Sequence, residues 1–185
     1  MALTESRDLP LGMPCPDFRL PSVDGTTVAR EDFRDQAVLV VLFICNHCPY
    51  VQAVEARIIE LRRDYAFRGV QLIGICSNDP TDYPDDRPEN LRRRWRERDY
   101  GFPYLVDETQ EVARVFGAVC TPDVYVFDRD RRLAYHGRID DNWQEPARVK
   151  RRELAAALDA LLAGREPGRE QHPSIGCSIK WRQAS

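Results

Sequence analysis

Apolar residues along the chain gather into short runs separated by polar, proline-rich or charged segments. Val38 to Ile44 is an unbroken apolar, β-branched run of strand length. It is followed by a segment whose apolar positions, Val51, Val54, Ile58, Ile59 and Leu61, fall at helical spacing. That spacing predicts a helix ending near Ala66, with Gly69 beyond it. Val70 to Asn78 then reads as a second buried strand, and strand–helix–strand predicts a right-handed parallel crossover.

Weaker signals flank this unit. Residues 1–14 read as an irregular arm, and Cys15 to Pro21 as a short extended piece bounded by prolines. Asp24-Gly25 predicts a tight hairpin turn, and Arg30 to Phe33 one helical turn. Asp79 to Pro88, rich in proline and aspartate, predicts a surface loop. Glu89 to Arg98 predicts a helix packed through Leu91 and Trp95, its arginines forming a solvated face. Phe102 to Val106 predicts a strand and Thr109 to Phe116 a short helix closed by Gly117. Val124 to Phe127 and Leu133 to Gly137 predict a hairpin with a charged tip, and Glu153 to Leu162 an amphipathic helix. The sum is an α/β domain, a central mixed sheet flanked by helices, over residues 1–163 with an N-terminal hairpin-bearing extension, 1–36. Residues 164–185 read as a tail packing back on it.

Composition narrows the partners. A net charge of −3 gives no electrostatic case for nucleic acid or an anionic membrane, and no apolar run approaches a membrane span. The N-terminus lacks the layout of a secretory signal, which predicts a cytoplasmic protein, as a monomer or homodimer. In that compartment six cysteines suggest catalytic or incidental thiols rather than a disulfide framework.

The chemistry concentrates at the strand–helix junction, Cys45-Asn46-His47-Cys48-Pro49. The first turn of a helix has unpaired N–H groups and the positive end of the dipole, both of which favour a thiolate. Cys45 is expected to be the outermost sulfur and the nucleophile, with Cys48 closing the ring behind it. Pro49 suits a first turn, and an imidazolium at His47 would further favour the Cys45 thiolate. Half a zinc site is the competing interpretation. It would need a second ligand pair, and Cys15, Cys76, Cys120, Cys177, His136 and His172 are scattered singly, so no metal is expected. Further on, Thr121-Pro122 precedes a strand; a cis bond there would make a tight bend leaving a free backbone edge, onto which a substrate segment could add as a strand.

Taken with Cys15-Pro16-Asp17-Phe18, Gly137-Arg138-Ile139-Asp140-Asp141 and Gly176-Cys177-Ser178-Ile179-Lys180-Trp181, these motifs resemble the thioredoxin superfamily. They are most similar to peroxiredoxin-like, AhpC/TSA-type members with a Cys-Asn-His-Cys motif. The resemblance implies a thioredoxin-like fold, with the redox cysteines on Cys45 and Cys48 and the cis-proline on Pro122. Asn46 and Thr121 would then lie against substrate. In peroxiredoxins the peroxide-attacking cysteine would fall on Cys48, but their threonine and proline positions are Cys45 and Val41 here, which argues against fast peroxidase chemistry. Arg138 would serve as those enzymes' guanidinium or be structural. The acid that many thioredoxins bury before the first cysteine is replaced by Leu39. The histidine resembles the oxidising class and implies a potential above that of thioredoxin, about −270 mV.

Cys177 reads as packing or as a resolving thiol brought in by the tail; Cys15, Cys76 and Cys120 receive no role. The leading expectation is a thiol–disulfide oxidoreductase acting on a protein disulfide or small thiol, reset by a reductase or thiol donor and needing no cofactor. A thiol peroxidase, using the same pair or Cys48 with Cys177, and a redox-sensing binding module are the alternatives.

Overall fold

The computed structural model describes residues 3–183. Its centre is set by β4 (Val38–Phe43), six apolar residues all buried, because strands pair with it on both edges. β4 runs parallel to β5 (Val70–Cys76), which runs parallel to β6 (Tyr104–Val106). Its other edge pairs antiparallel with β8 (Asp123–Phe127), which continues into the hairpin strand β9 (Leu133–His136). The five-stranded order β6-β5-β4-β8-β9 is a mixed sheet of the thioredoxin-like type.

Alternation along β4 divides the core in two. Val38, Val40 and Leu42 join α1 (Pro49–Tyr65), α2 (Pro88–Glu97) and α4 (Glu153–Leu162) through Val54, Ile58, Leu91, Leu154 and Leu158. Leu39, Val41 and Phe43 face the opposite side, against α3 (Glu111–Phe116) and the N-terminal hairpin of β2 (Arg19–Pro21) and β3 (Thr27–Ala29). A strand buried on both faces must be apolar throughout, hence the unbroken run from Val38. The helix α1 ends as its pattern predicts, and the left-handed Gly69 (φ 81°) returns the chain to β5.

Two strands depart from the expected layout. The N-terminal arm is not wholly irregular: Leu3–Glu5 forms β1. The tail contributes β10 (Ile175–Ser178), and β10 lies between β1 and the two-residue β7 (Cys120–Thr121) in a separate three-stranded sheet. Residues 1–2 of the expected arm and 184–185 of the expected tail lie outside the described residues. No helix among the described residues is long and apolar enough to cross a membrane.

Candidate active site

The β4–α1 junction places Cys48 at the N-cap of α1, with extended backbone (φ −74°, ψ 120°) and Pro49 in the first turn. Three positions earlier, Cys45 leaves the end of β4. Both sulfurs turn to Thr121, which precedes Pro122 in a cis peptide bond, as expected. The Cys45 Sγ lies 3.3 Å from the Thr121 hydroxyl, and the Cys48 thiol donates to the Thr121 carbonyl at 3.2 Å. Cys45, Cys48 and Thr121 are all buried.

The electrostatics reverse the order expected of the two thiols. Cys45 and Cys48 are both sealed from solvent, 1% and 0% exposed, so exposure does not rank them and their polar neighbours must. Burial pushes the Cys45 pKa well above the usual thiol value, and the hydrogen bond to Cys48 and the nearby Asp86 carboxylate push the same way. Cys48 has the lowered pKa, about 5. The Cys45 thiol as hydrogen-bond donor is the largest cause; burial opposes it, and the Cys177 thiol and the Val51 N–H of the helix's first turn add to it. The helix terminus does favour a thiolate, but the cysteine occupying that terminus is the second.

His47 has a ring nitrogen within 4.8 Å of the Cys45 sulfur, but its hydrogen bond goes to a carboxylate. Its Nδ1 lies 2.5 Å from Asp86 Oδ2, and its ring packs 4.3 Å from that of Tyr83. Asp86 also accepts the backbone N–H groups of Asn46 and His47, at 2.8 and 3.2 Å, and the Asn78 amide at 2.8 Å. Burial alone would raise the Asp86 pKa, but the donors from His47, Asn78 and Asn46 outweigh it and hold the carboxyl below its ordinary range. Asp86 lies in the segment expected to be a surface loop; a 3-10 turn over Pro84–Asp86 folds it inward until it is 2% exposed. Sequence reasoning missed it. The local signal was Pro84 in an Asp-rich stretch, which marks a turn without saying which aspartate turns in.

Cys45, His47 and Asp86 each offer a ligand atom within 4.8 Å of the others. The Asp86 oxygens are already taken by four donors, so a cation would have to displace the contacts that shape the loop. The donor set fits a hydrogen-bonded carboxylate–imidazole pair better than a metal centre.

Two expected substrate contacts take other roles. The Asn46 amide donates to the Asp85 and Asn90 carbonyls, at 3.0 and 3.1 Å, and so ties the junction to α2 instead of presenting itself to a ligand. Arg138 makes a two-pronged pair with Glu153 at 2.8 and 2.7 Å, in the wall of a cavity of about 60 Å³ beside Pro122. A guanidinium committed in this way is not poised over the cysteines. The backbone edge at Thr121 is not free either, because β10 pairs with it, Cys177 opposite Thr121.

Of the other cysteines, Cys177 is brought to the pair, within hydrogen-bonding reach of Cys48, and its own pKa is pushed up to about 12, chiefly by burial. Cys120 is buried in β7, and burial raises its pKa and that of Cys76 in β5. Cys15 is buried away from the site, and burial raises its pKa to about 12.

Comparison with known proteins agrees with this architecture. The model of the AhpC/TSA family matches residues 11–136. Peroxiredoxin Bcp of Escherichia coli is 34% identical over 106 residues, 55% of this chain and 60% of its own. The thiol-disulfide oxidoreductase ResA of Bacillus thuringiensis is 22% identical over 136 residues, 70% of each chain. The crystal structure of an uncharacterized conserved protein from Geobacillus kaustophilus superposes with a TM-score of 0.95 at 46% identity, covering 100% of this chain and 99% of that one.

Proposed function

Because the chain belongs to the AhpC/TSA family, we propose that it is a thiol–disulfide oxidoreductase whose redox couple is Cys45 and Cys48. The observation that carries this is the convergence of both sulfurs on Thr121, with a thiolate favoured on one of them and a thiol hydrogen-bonded to it. In the reducing direction the Cys48 thiolate attacks a substrate disulfide. A Cys48–substrate bond forms, the substrate S–S bond breaks, and its electron pair leaves on the departing thiolate. The Cys45 thiol then gives its proton to the remaining leaving sulfur and attacks Cys48, closing the Cys45–Cys48 disulfide and releasing a second thiol. Cys45 stays protonated until that step, which suits its raised pKa.

A thiol peroxidase is the second interpretation, favoured by the lowered pKa falling on Cys48, the position where the resemblance puts a peroxide-attacking cysteine. Against it stand the cysteine and valine at the threonine and proline positions, and the engagement of Arg138 by Glu153. The two separate on one preparation. Disulfide exchange with a small disulfide should be fast and hydrogen peroxide consumption slow, both abolished by Cys48→Ser. Rapid peroxide turnover with negligible disulfide exchange would overturn the proposal.

A further inference from the structure

An extended substrate would need the backbone edge of β7 beside Pro122, and the chain's own tail is already there. β10 lies antiparallel on that edge in the register Cys177 opposite Thr121 and Ser178 opposite Cys120, with β1 paired along its far side. The approach is unusually close. A Cβ on Gly176 would sit 1.9 Å from the Thr121 carbonyl oxygen and 3.1 Å from the Pro122 ring, so no residue but glycine fits without moving the strand. The segment is fixed at both ends. Ser174 bonds to Ser6 and Gly137, while the Lys180 N–H donates to Asn78 and its carbonyl accepts from Gln110 and the Asp79 N–H. Ile179 is buried in the core beyond. The docked strand therefore presents a sulfur at the residue facing Thr121, where the Cys48 thiol also bonds.

We propose that β10 is a built-in substrate strand and that Cys177 is a third redox thiol, exchanging with Cys45 for the sulfur of Cys48. The inference rests on the Cys45–Cys48 couple proposed above. Starting from that disulfide, the Cys177 thiol loses its proton and attacks Cys48. The Cys177–Cys48 bond forms and the Cys45–Cys48 bond breaks. The electron pair goes to Cys45, which takes up the proton. No electrons enter or leave, so the step needs no oxidant beyond the one that made the first disulfide. With the edge filled by its own strand and Cys48 fully buried, a small disulfide should need only a local opening at the sulfurs, and a protein disulfide the departure of β10 from the edge.

The test is disulfide mapping by mass spectrometry after brief exposure of the reduced full-length protein to glutathione disulfide and acid quenching. Cys45→Ser should yield a Cys48–Cys177 bridge as the main product. A Cys48–glutathione adduct with Cys177 still alkylatable, or Cys48 bridged to any other cysteine, overturns the inference. Cys177→Ser should still form Cys45–Cys48; if neither it nor the unmodified protein does, the failure belongs to the proposed couple and not to the tail. Gly176→Ala, by forcing the strand off Thr121, should raise the ratio of insulin reduction to glutathione disulfide reduction by about tenfold, which corresponds to about 1.4 kcal/mol of lost docking. An unchanged ratio in a folded Gly176→Ala protein counts against the substrate-strand role.

Discussion

A thiolate held in the reduced site must appear in the reduction potential, and pH is the perturbation that exposes it. With Cys48 at about 5 against an ordinary thiol at 9.0, the reduced couple at pH 7 is favoured by roughly two pH units of ionisation. At 1.36 kcal/mol per unit this is about 3 kcal/mol, or about 60 mV for a two-electron couple. Compared with thioredoxin, whose attacking cysteine ionises near 7, the gain is about 50 mV, which puts the couple near −220 mV. The slope is equally diagnostic. Above about pH 5 the reduced pair binds one proton and the potential should fall by about 30 mV per pH unit; below it, with two protons bound, the fall should be about 59 mV. Equilibration in glutathione buffers across this range, followed by alkylation and mass analysis, measures both quantities. A potential at or below about −270 mV at pH 7, or a 59 mV slope running unbroken through neutrality, would refute the assignment of a lowered pKa to this pair.

Other consequences follow from the same geometry. Because the folded-state pKa of Cys48 lies below its unfolded value, the unfolded chain binds more protons between about pH 5 and 9. The unfolding free energy of the reduced protein in urea should therefore fall as pH drops through that window, by up to about 1 kcal/mol per pH unit, more steeply than that of Cys48→Ser. Asp86→Ala strands the His47 ring and two backbone N–H groups, and should cost about 3 kcal/mol in denaturant unfolding. It also removes a negative charge that raises the Cys45 pKa, so in a Cys48→Ser background Cys45 should alkylate at lower pH than with Asp86 present. Glu55→Ala leaves Arg94 and the Tyr100 hydroxyl without the buried carboxylate that joins α1 to α2, and should cost about 3 kcal/mol while leaving the potential unchanged.

What the sequence made legible was local. The strand from Val38, the helix from Pro49 and the Asp24-Gly25 turn depend on neighbours a few residues away, and periodicity or turn chemistry records them. The cis peptide before Pro122 was expected only through the resemblance to the thioredoxin superfamily, since a Thr-Pro before a strand does not by itself fix the isomer. What was hidden depended on distant pairing. β1 and β10 are three and four residues long and meet across nearly the whole chain, so neither has a run from which a sheet could be inferred. Gly176 concealed β10 further, since glycine normally weakens a strand; here it marks the point where two backbones must nearly touch. Asp86 escaped because loop composition predicts exposure, and its burial is decided by donors on other segments: Asn46, His47 and Asn78.

The reversal of Cys45 and Cys48 follows from the same distinction. A Cys-x-x-Cys at a strand–helix junction says that one sulfur meets the helix dipole, but the choice between the two rests on where the anion's neighbours lie. Around Cys45 they are Asp86, a negative charge, and Cys76, which add to the cost of burial. Around Cys48 the donors Cys45, Cys177 and the Val51 N–H outweigh the one acceptor, the Thr121 carbonyl at 3.2 Å. Moving the anion from Cys48 to Cys45 would bring it towards the Asp86 carboxylate and away from the helix N–H, so both changes oppose it. Asp86 cannot readily yield by taking up a proton, since four donors hold it ionised. The inward-folded loop thus works on the thiols at a distance, setting which sulfur stays protonated, while the tail supplies a donor to the one that does not.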